Sequence, residues 1–180
     1  MQISIHKLSA SDARDYRDLR LEGLAAHPEA FGASFEDEAV LSVDDFAQRI
    51  EQGNVFGARR TDTNALVSAV GLRISTASKT RHKGAIWGMY VRPETRGSGV
   101  GAALIKHALD YAKPLVEEVT IIVGASNIAA HKLYIKMGFE QYGFERRALK
   151  IGQTYYDEVL MAVVLNPPTG QCRPKVDRFD

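Results

Sequence analysis

Apolar Ile3 and Ile5 alternate with polar neighbours across Gln2–Leu8, the two-residue period of a strand with one buried face. The period then lengthens: Ala13, Tyr16, Leu19, Gly23 and Leu24 recur at helical spacings, with Ser9–Asp12 as cap residues and Pro28 as the stop. Residues 29–41 show little periodicity but gather Phe31, Phe35, Glu36, Asp37 and Glu38, the mixed aromatic and acidic character of loops that line sites. Ser42 with Asp45 resembles a capping box and predicts a short second helix through Phe46 and Ile50. Val55–Arg59, Ala65–Ile74 and Gly84–Val91 then read as three strands of an antiparallel meander.

After Gly101 the pattern is helical again, with Val100, Ala103, Leu104, His107, Ala108, Tyr111 and Ala112 on one face until Pro114. Val119–Val123 is wholly apolar and β-branched, as expected of a strand buried on both faces. Asn127 can cap a helix over Ile128–Met137 that Gly138 ends, and Phe139–Ile151 and Thr154–Leu165 form a final hairpin around Gly152. The result is an α+β domain over residues 1–165, with seven strands and about four helices, followed by a polar tail over 166–180. One β-helix-β-helix unit sits inside an otherwise antiparallel order.

The 180 residues carry 23 Lys and Arg against 22 Asp and Glu, a net charge of +1 that gives no basic excess for nucleic acid or an anionic membrane surface. No apolar run approaches the ~20 residues that span a bilayer, and no signal-peptide core follows Met1, so a cytoplasmic protein is expected. Cys172 alone cannot make an internal disulfide or a multi-cysteine zinc site, and it lies in the tail. His6, His27, His82, His107 and His131 lack metal-ligand spacing, so no metal is expected. The short basic clusters Arg81-His82-Lys83 and Arg146-Arg147 read as solvated strand ends.

The chemistry gathers at Gly97-Ser98-Gly99-Val100-Gly101, between the fourth strand and the next helix. A helix that starts in a glycine turn aims unpaired amides and its positive dipole end at one point, which suits a phosphate or pyrophosphate. Arg92 and Arg96 can add donors at the rim. A P-loop is excluded, because Gly101 is followed by Ala102-Ala103 and not by Lys and Ser or Thr. A dinucleotide fingerprint fits poorly, since Glu117 and Glu118 precede the next strand where an acidic residue should end it.

Arg96-Gly97-Ser98-Gly99-Val100-Gly101 instead matches Arg or Gln, any, any, Gly, any, Gly or Ala. That is the pyrophosphate-binding pattern of the GCN5-related N-acetyltransferase (GNAT) family. Met89-Tyr90-Val91-Arg92-Pro93 resembles the family's fourth strand, and Asn127, Ala130, Leu133, Tyr134 and Gly138-Phe139 reproduce its second signature. Tyr155-Tyr156-Asp157-Glu158-Val159-Leu160-Met161 looks like its seventh strand.

The resemblance implies a mixed, mostly antiparallel seven-stranded sheet whose central parallel strands splay, and an enzyme that moves the acetyl group of acetyl-CoA directly to a primary amine in a ternary complex. The acceptor would be a small molecule, a peptide or a protein. The backbones of Met89, Tyr90 and Val91 would hold the pantetheine arm, with an N–H near Met89 polarising the thioester carbonyl. The amides from Arg96 through Gly97, Ser98, Gly99, Val100 and Gly101 to Ala102 would hold the pyrophosphate. Asn127 would bond the arm or order a water, and as a residue type it is equally a helix cap. Tyr134 matches the family's general acid, although helical spacing alone reads it as a packed helix tyrosine.

Phe31, Phe35, Glu36 and Tyr155 would shape the acceptor pocket, and Glu36, Asp37 and Glu38 are all open as the general base. Carboxylates there lean toward a cationic amine. A homodimer is compatible with the family's habits, and a non-catalytic CoA-binding regulatory module of the same fold is the competing reading.

Overall fold

A computed structural model describes residues 2–167, so Cys172 and most of the tail lie outside the described residues. The alternating segments form one sheet. β1 (Ile3–Lys7), β2 (Asn54–Arg60), β3 (Leu66–Ile74) and β4 (Lys83–Val91) pair antiparallel in chain order. β5 (Glu118–Gly124) lies parallel to β4, and the hairpin of β6 (Glu140–Ile151) and β7 (Thr154–Val164) completes the seven-stranded order β1-β2-β3-β4-β5-β7-β6.

The helices are α1 (Ala13–Ala26), α2 (Phe35–Ala39), α3 (Val43–Gln52), α4 (Val100–Ala112) and α5 (Ile128–Lys136), five where the pattern predicts about four. The additional one is α2, inside the segment read as irregular. Ser34 accepts a hydrogen bond from the Asp37 amide at 3.1 Å, and Glu36, Asp37 and Glu38 all fall in its first turn, where carboxylates complement the dipole. Five residues are too few to display a helical period. The capping box of α3 is present as expected: Ser42 Oγ accepts from the Asp45 amide at 3.2 Å, and Asp45 accepts from the Ser42 amide at 2.7 Å.

Two apolar layers cover the sheet. On one face Tyr16 and Leu19 of α1 and Phe46 and Ile50 of α3 pack on Val55, Leu66, Ala69 and Tyr90. On the other, Leu104, Ile105 and Ala108 of α4 and Tyr134 of α5 pack with Phe56, Val70, Ile86, Val119, Ile121 and Met161. Each fully buried Leu, Ile or Phe contributes about 1.5–3 kcal/mol by leaving water, so these layers fix the sheet on which the site is built.

Two local events then open the sheet. The β4–β5 pairing runs through Lys83↔Glu118, Gly84↔Val119 and Ala85↔Thr120 and continues no further. Opposite, Trp87 pairs with Gly71 and Tyr90 with Ala69, so Gly88 and Met89 together face the single residue Val70. That is a bulge, and Gly88 sits in it at φ +62°. Bulges bend a strand, and this one follows three residues after Ala85, the last residue of β4 paired with β5. β5 is consequently not buried on both faces as its composition predicts: Ile122 is 53% exposed.

Candidate active site

Between the parted strands lies a cavity of about 630 Å³. Ile86–Val91 of β4 form one wall, Ile121–Gly124 of β5 the other, and Tyr134 with Ala130 and Leu133 of α5 the floor. One end reaches Thr95, Arg96, Gly97, Gly99, Gly101 and Ala102, and His27, Glu29, Ala30 and Phe31 complete the lining. A more open groove of about 680 Å³ lies beyond Trp87, between α3 and β3, and holds neither the glycine turn nor Tyr134.

The glycines divide their work. Gly99 is the N-cap of α4 at φ +86°, with open space where a Cβ would stand. The first helical bond runs from the Ala103 amide to the Gly99 carbonyl at 3.0 Å, so the earlier amides point outward from the helix start. No acidic residue occupies the first turn of α4, which leaves the positive end of the dipole uncompensated. Gly101 is already helical; a Cβ there would meet Met89 Cε at 3.2 Å and Leu133 Cδ2 at 3.4 Å. It lets α4 approach the cavity wall.

Accordingly Gly99→Val should distort the α4 start and weaken binding of a pyrophosphate ligand, acetyl-CoA by the sequence expectation, by roughly tenfold or more, since a β-branched residue at positive φ stores on the order of 1–3 kcal/mol of strain. Calorimetric titration with unchanged far-UV circular dichroism is the check.

The other motif residues are placed as follows. Arg96 donates from Nε to the Val91 carbonyl at 3.0 Å, meets His27 Nε2 at 3.1 Å and lies over the Tyr90 ring at 5.8 Å, so its side chain is held at the cavity rim. Arg92 is turned away and donates to Glu22 at 2.9 Å, beside the Tyr90 hydroxyl, which donates to the same carboxylate at 3.1 Å. Ser98 donates to the Thr95 carbonyl at 2.6 Å and Val100 packs with Ala58 and Val67; neither side chain lines the cavity. Asn127 lines it and caps α5, accepting from the Ala130 amide at 3.1 Å.

Tyr134 is buried in the floor, edge-on to Phe139 with ring centroids 5.9 Å apart. Its hydroxyl lies 3.6 Å from Met89 Sδ, a weak acceptor that an incoming ligand can replace. Burial holds the phenol well above its ordinary value of 10.0, so it is a proton donor throughout the working range.

Of the expected acceptor residues, Phe31 lines the cavity, while Phe35 and Glu36 are exposed on α2 and Tyr155 stacks under Arg147 at 4.0 Å on the β6–β7 hairpin. Glu38 is no free carboxylate. It accepts from Arg20 Nε at 3.1 Å, Arg20 Nη2 at 3.0 Å and Arg49 Nη1 at 3.0 Å. Burial alone would raise it, but the hydrogen bonds and charges of Arg20 and then Arg49 outweigh that and hold it below 4.5.

Arg17 strengthens the same tie, donating to the carbonyls of Leu41 at 3.0 Å and Ala39 at 2.9 Å. The residues around α2 are thus clamped to α1. Sequence reasoning missed Trp87, Gly88, Ile122 and Arg20; only Arg20 left a signal, as a cation within the apolar stripe of α1.

A helix start stripped of acidic residues, a cleft between parted strands and a buried phenol beneath it make a site for a ligand with a phosphate end, and place a proton donor at its floor. Comparison agrees: the acetyltransferase (GNAT) family model matches residues 13–139, and the chain belongs to that family. It is 25% identical over 132 residues to the uncharacterized N-acetyltransferase YoaA of Bacillus subtilis, covering 71% of this chain and 73% of YoaA. Among solved structures it shares the fold of yncA from Salmonella typhimurium, determined with acetyl-CoA, at TM-score 0.81 and 14% identity over 96% of this chain and 99% of that one. It also shares the fold of a phosphinothricin acetyltransferase from Sinorhizobium meliloti in complex with acetyl-CoA, at TM-score 0.80 and 18% identity over 98% of each chain.

Proposed function

We propose that the protein transfers the acetyl group of acetyl-CoA directly to a primary amine in a ternary complex. The observation that carries this is the placement of the buried Tyr134 hydroxyl beneath β4, in the same cavity that reaches the α4 glycine turn. Acetyl-CoA chemistry fits the residues present: amides at the α4 start and Arg96 for the pyrophosphate, and the unpaired stretch of β4 around Met89 for the pantetheine arm.

In this reading the amine lone pair attacks the thioester carbon and the carbonyl oxygen becomes an oxyanion held by a backbone N–H near Met89. The C–S bond then breaks: the departing sulfur receives the Tyr134 proton, the attacking nitrogen, cationic once bonded to carbon, releases its extra proton to solvent, and solvent reprotonates the phenol. The ammonium proton leaves before attack. Glu38 does not take it, because its carboxylate is committed to two arginines.

The test is CoA release measured across amines, polyamines and peptides, with acetyl-CoA binding measured separately. Turnover on an amine with formation of an amide product is expected. Tight acetyl-CoA binding with no turnover on any amine would overturn the transferase reading.

A further inference from the structure

The Arg20 guanidinium is 5% exposed, and its Nη1 is fully covered without a hydrogen-bond partner. Buried donors on charged groups rarely stay unpaired, since leaving one unmade costs on the order of a hydrogen bond or more. Nη1 is aimed at the β4 bulge: a Cβ on Gly88 would stand 3.0 Å from it. The guanidinium carbon lies 4.9 Å from the centre of the Phe31 ring and 6.0 Å from that of Trp87. Phe31, Trp87 and Gly88 all line the cavity, so the donor sits one layer behind its wall, beside Met89.

The local charge is unbalanced in the same sense. Arg20 and Arg49 share the single carboxylate of Glu38, with the Tyr16 phenol as the other titratable group against them. Arg49 also faces Asp45, which is exposed and is held by Ser42. Arg20 is left with Glu38 as its one ion-pair partner among the described residues, and that partner is divided. A second carboxylate would fill both the missing hydrogen bond and the missing charge.

We propose that Arg20 Nη1 is the anchor for a carboxylate carried by the acceptor close to its amine, which makes the acceptor an amino acid. This rests on the acetyl-transfer reading of the same cavity. The carboxylate reaches Nη1 past the bare Gly88 Cα when the Phe31 ring turns off the guanidinium, and the amine is then held beside Met89, where the thioester carbonyl is to be attacked. Glycine in the bulge is required for that approach as well as for its φ.

The experiment compares matched pairs on the wild-type protein: phenylalanine against phenethylamine, and methionine against 3-(methylthio)propylamine, by CoA release. The carboxylate member should be preferred in kcat/KM by roughly 10- to 100-fold, the range of a hydrogen bond to a charged group. Arg20→Gln should abolish the preference through KM, with acetyl-CoA affinity within about twofold and partial rescue by Arg20→Lys. Binding of N-acetylphenylalanine and N-phenethylacetamide to the CoA-loaded protein gives a readout that needs no turnover. Equal binding of the charged and neutral ligands, or equal turnover of the pairs, overturns the anchor. Preferential binding of the carboxylate ligand with no turnover of any amine would instead overturn the transfer reading and leave the anchor standing.

Discussion

Glu38→Ala lowers the unfolding free energy by about 3 kcal/mol, because it strands two arginine guanidiniums that are largely or partly withdrawn from water. For a domain of this size that is roughly 6–12 °C in Tm. Thermal and urea unfolding monitored by circular dichroism measure it, and a loss under about 1 kcal/mol would mean that the cluster is solvated. Glu38→Gln, which keeps acceptor capacity on one oxygen, should lose less.

The same carboxylate sets a pH dependence. Its folded-state pKa lies below the ordinary 4.5, so the stabilisation is fully present above that value and drains away as pH falls below it. Asp12 acts in the same direction. Burial alone would raise it, but the Ser9 amide and Arg59, at 2.7 Å, hold it below 3.8. The acid limb of the stability profile should therefore be shallower in Glu38→Gln than in the wild type.

That cluster also marks where sequence reasoning stops. The glycine turn and the Asn127–Phe139 signature are legible because their function depends on local geometry: a helix start, a cap, a tyrosine one face along. The seven strands are legible from apolar alternation or β-branched runs between turn residues. Just beyond its last pair with β5, β4 carries a bulge, and a bulge is a relation between two strands: Gly88 and Met89 acquire meaning only once Val70 is placed opposite them. The apolar run of β5 predicts a strand buried on both faces because composition cannot say that a neighbouring strand departs. Glu36, Asp37 and Glu38 are equivalent as letters. They differ once folded, because helix α2 turns Glu38 inward toward α1 and leaves the other two in solvent.

Tyr134→Phe carries the largest expected effect on rate. The hydroxyl is removed while the ring keeps its place against Phe139, so the fold and acetyl-CoA affinity should change little, within about twofold in Kd. The rate of CoA release should fall roughly 100-fold, at the lower end of what a positioned general acid contributes.

The direction of the Tyr134 shift shapes a second readout. A free thiol has a pKa near 8.5, well below a phenol that burial has pushed above 10.0, so full proton transfer to an aqueous thiolate would run uphill. In the proposed reaction, however, the sulfur would depart into the same cavity, where the burial that raises the phenol would raise the thiol too. The two groups thereby approach each other in proton affinity at the moment the C–S bond breaks. The raised pKa also keeps Tyr134 protonated below about pH 10, so no loss of activity between neutral pH and that point should arise from its ionisation. An alkaline limb near pH 8 that disappears in Tyr134→Phe would show that the phenol titrates lower than its burial dictates. Equal losses of rate and acetyl-CoA affinity in the same variant would make Tyr134 a packing residue.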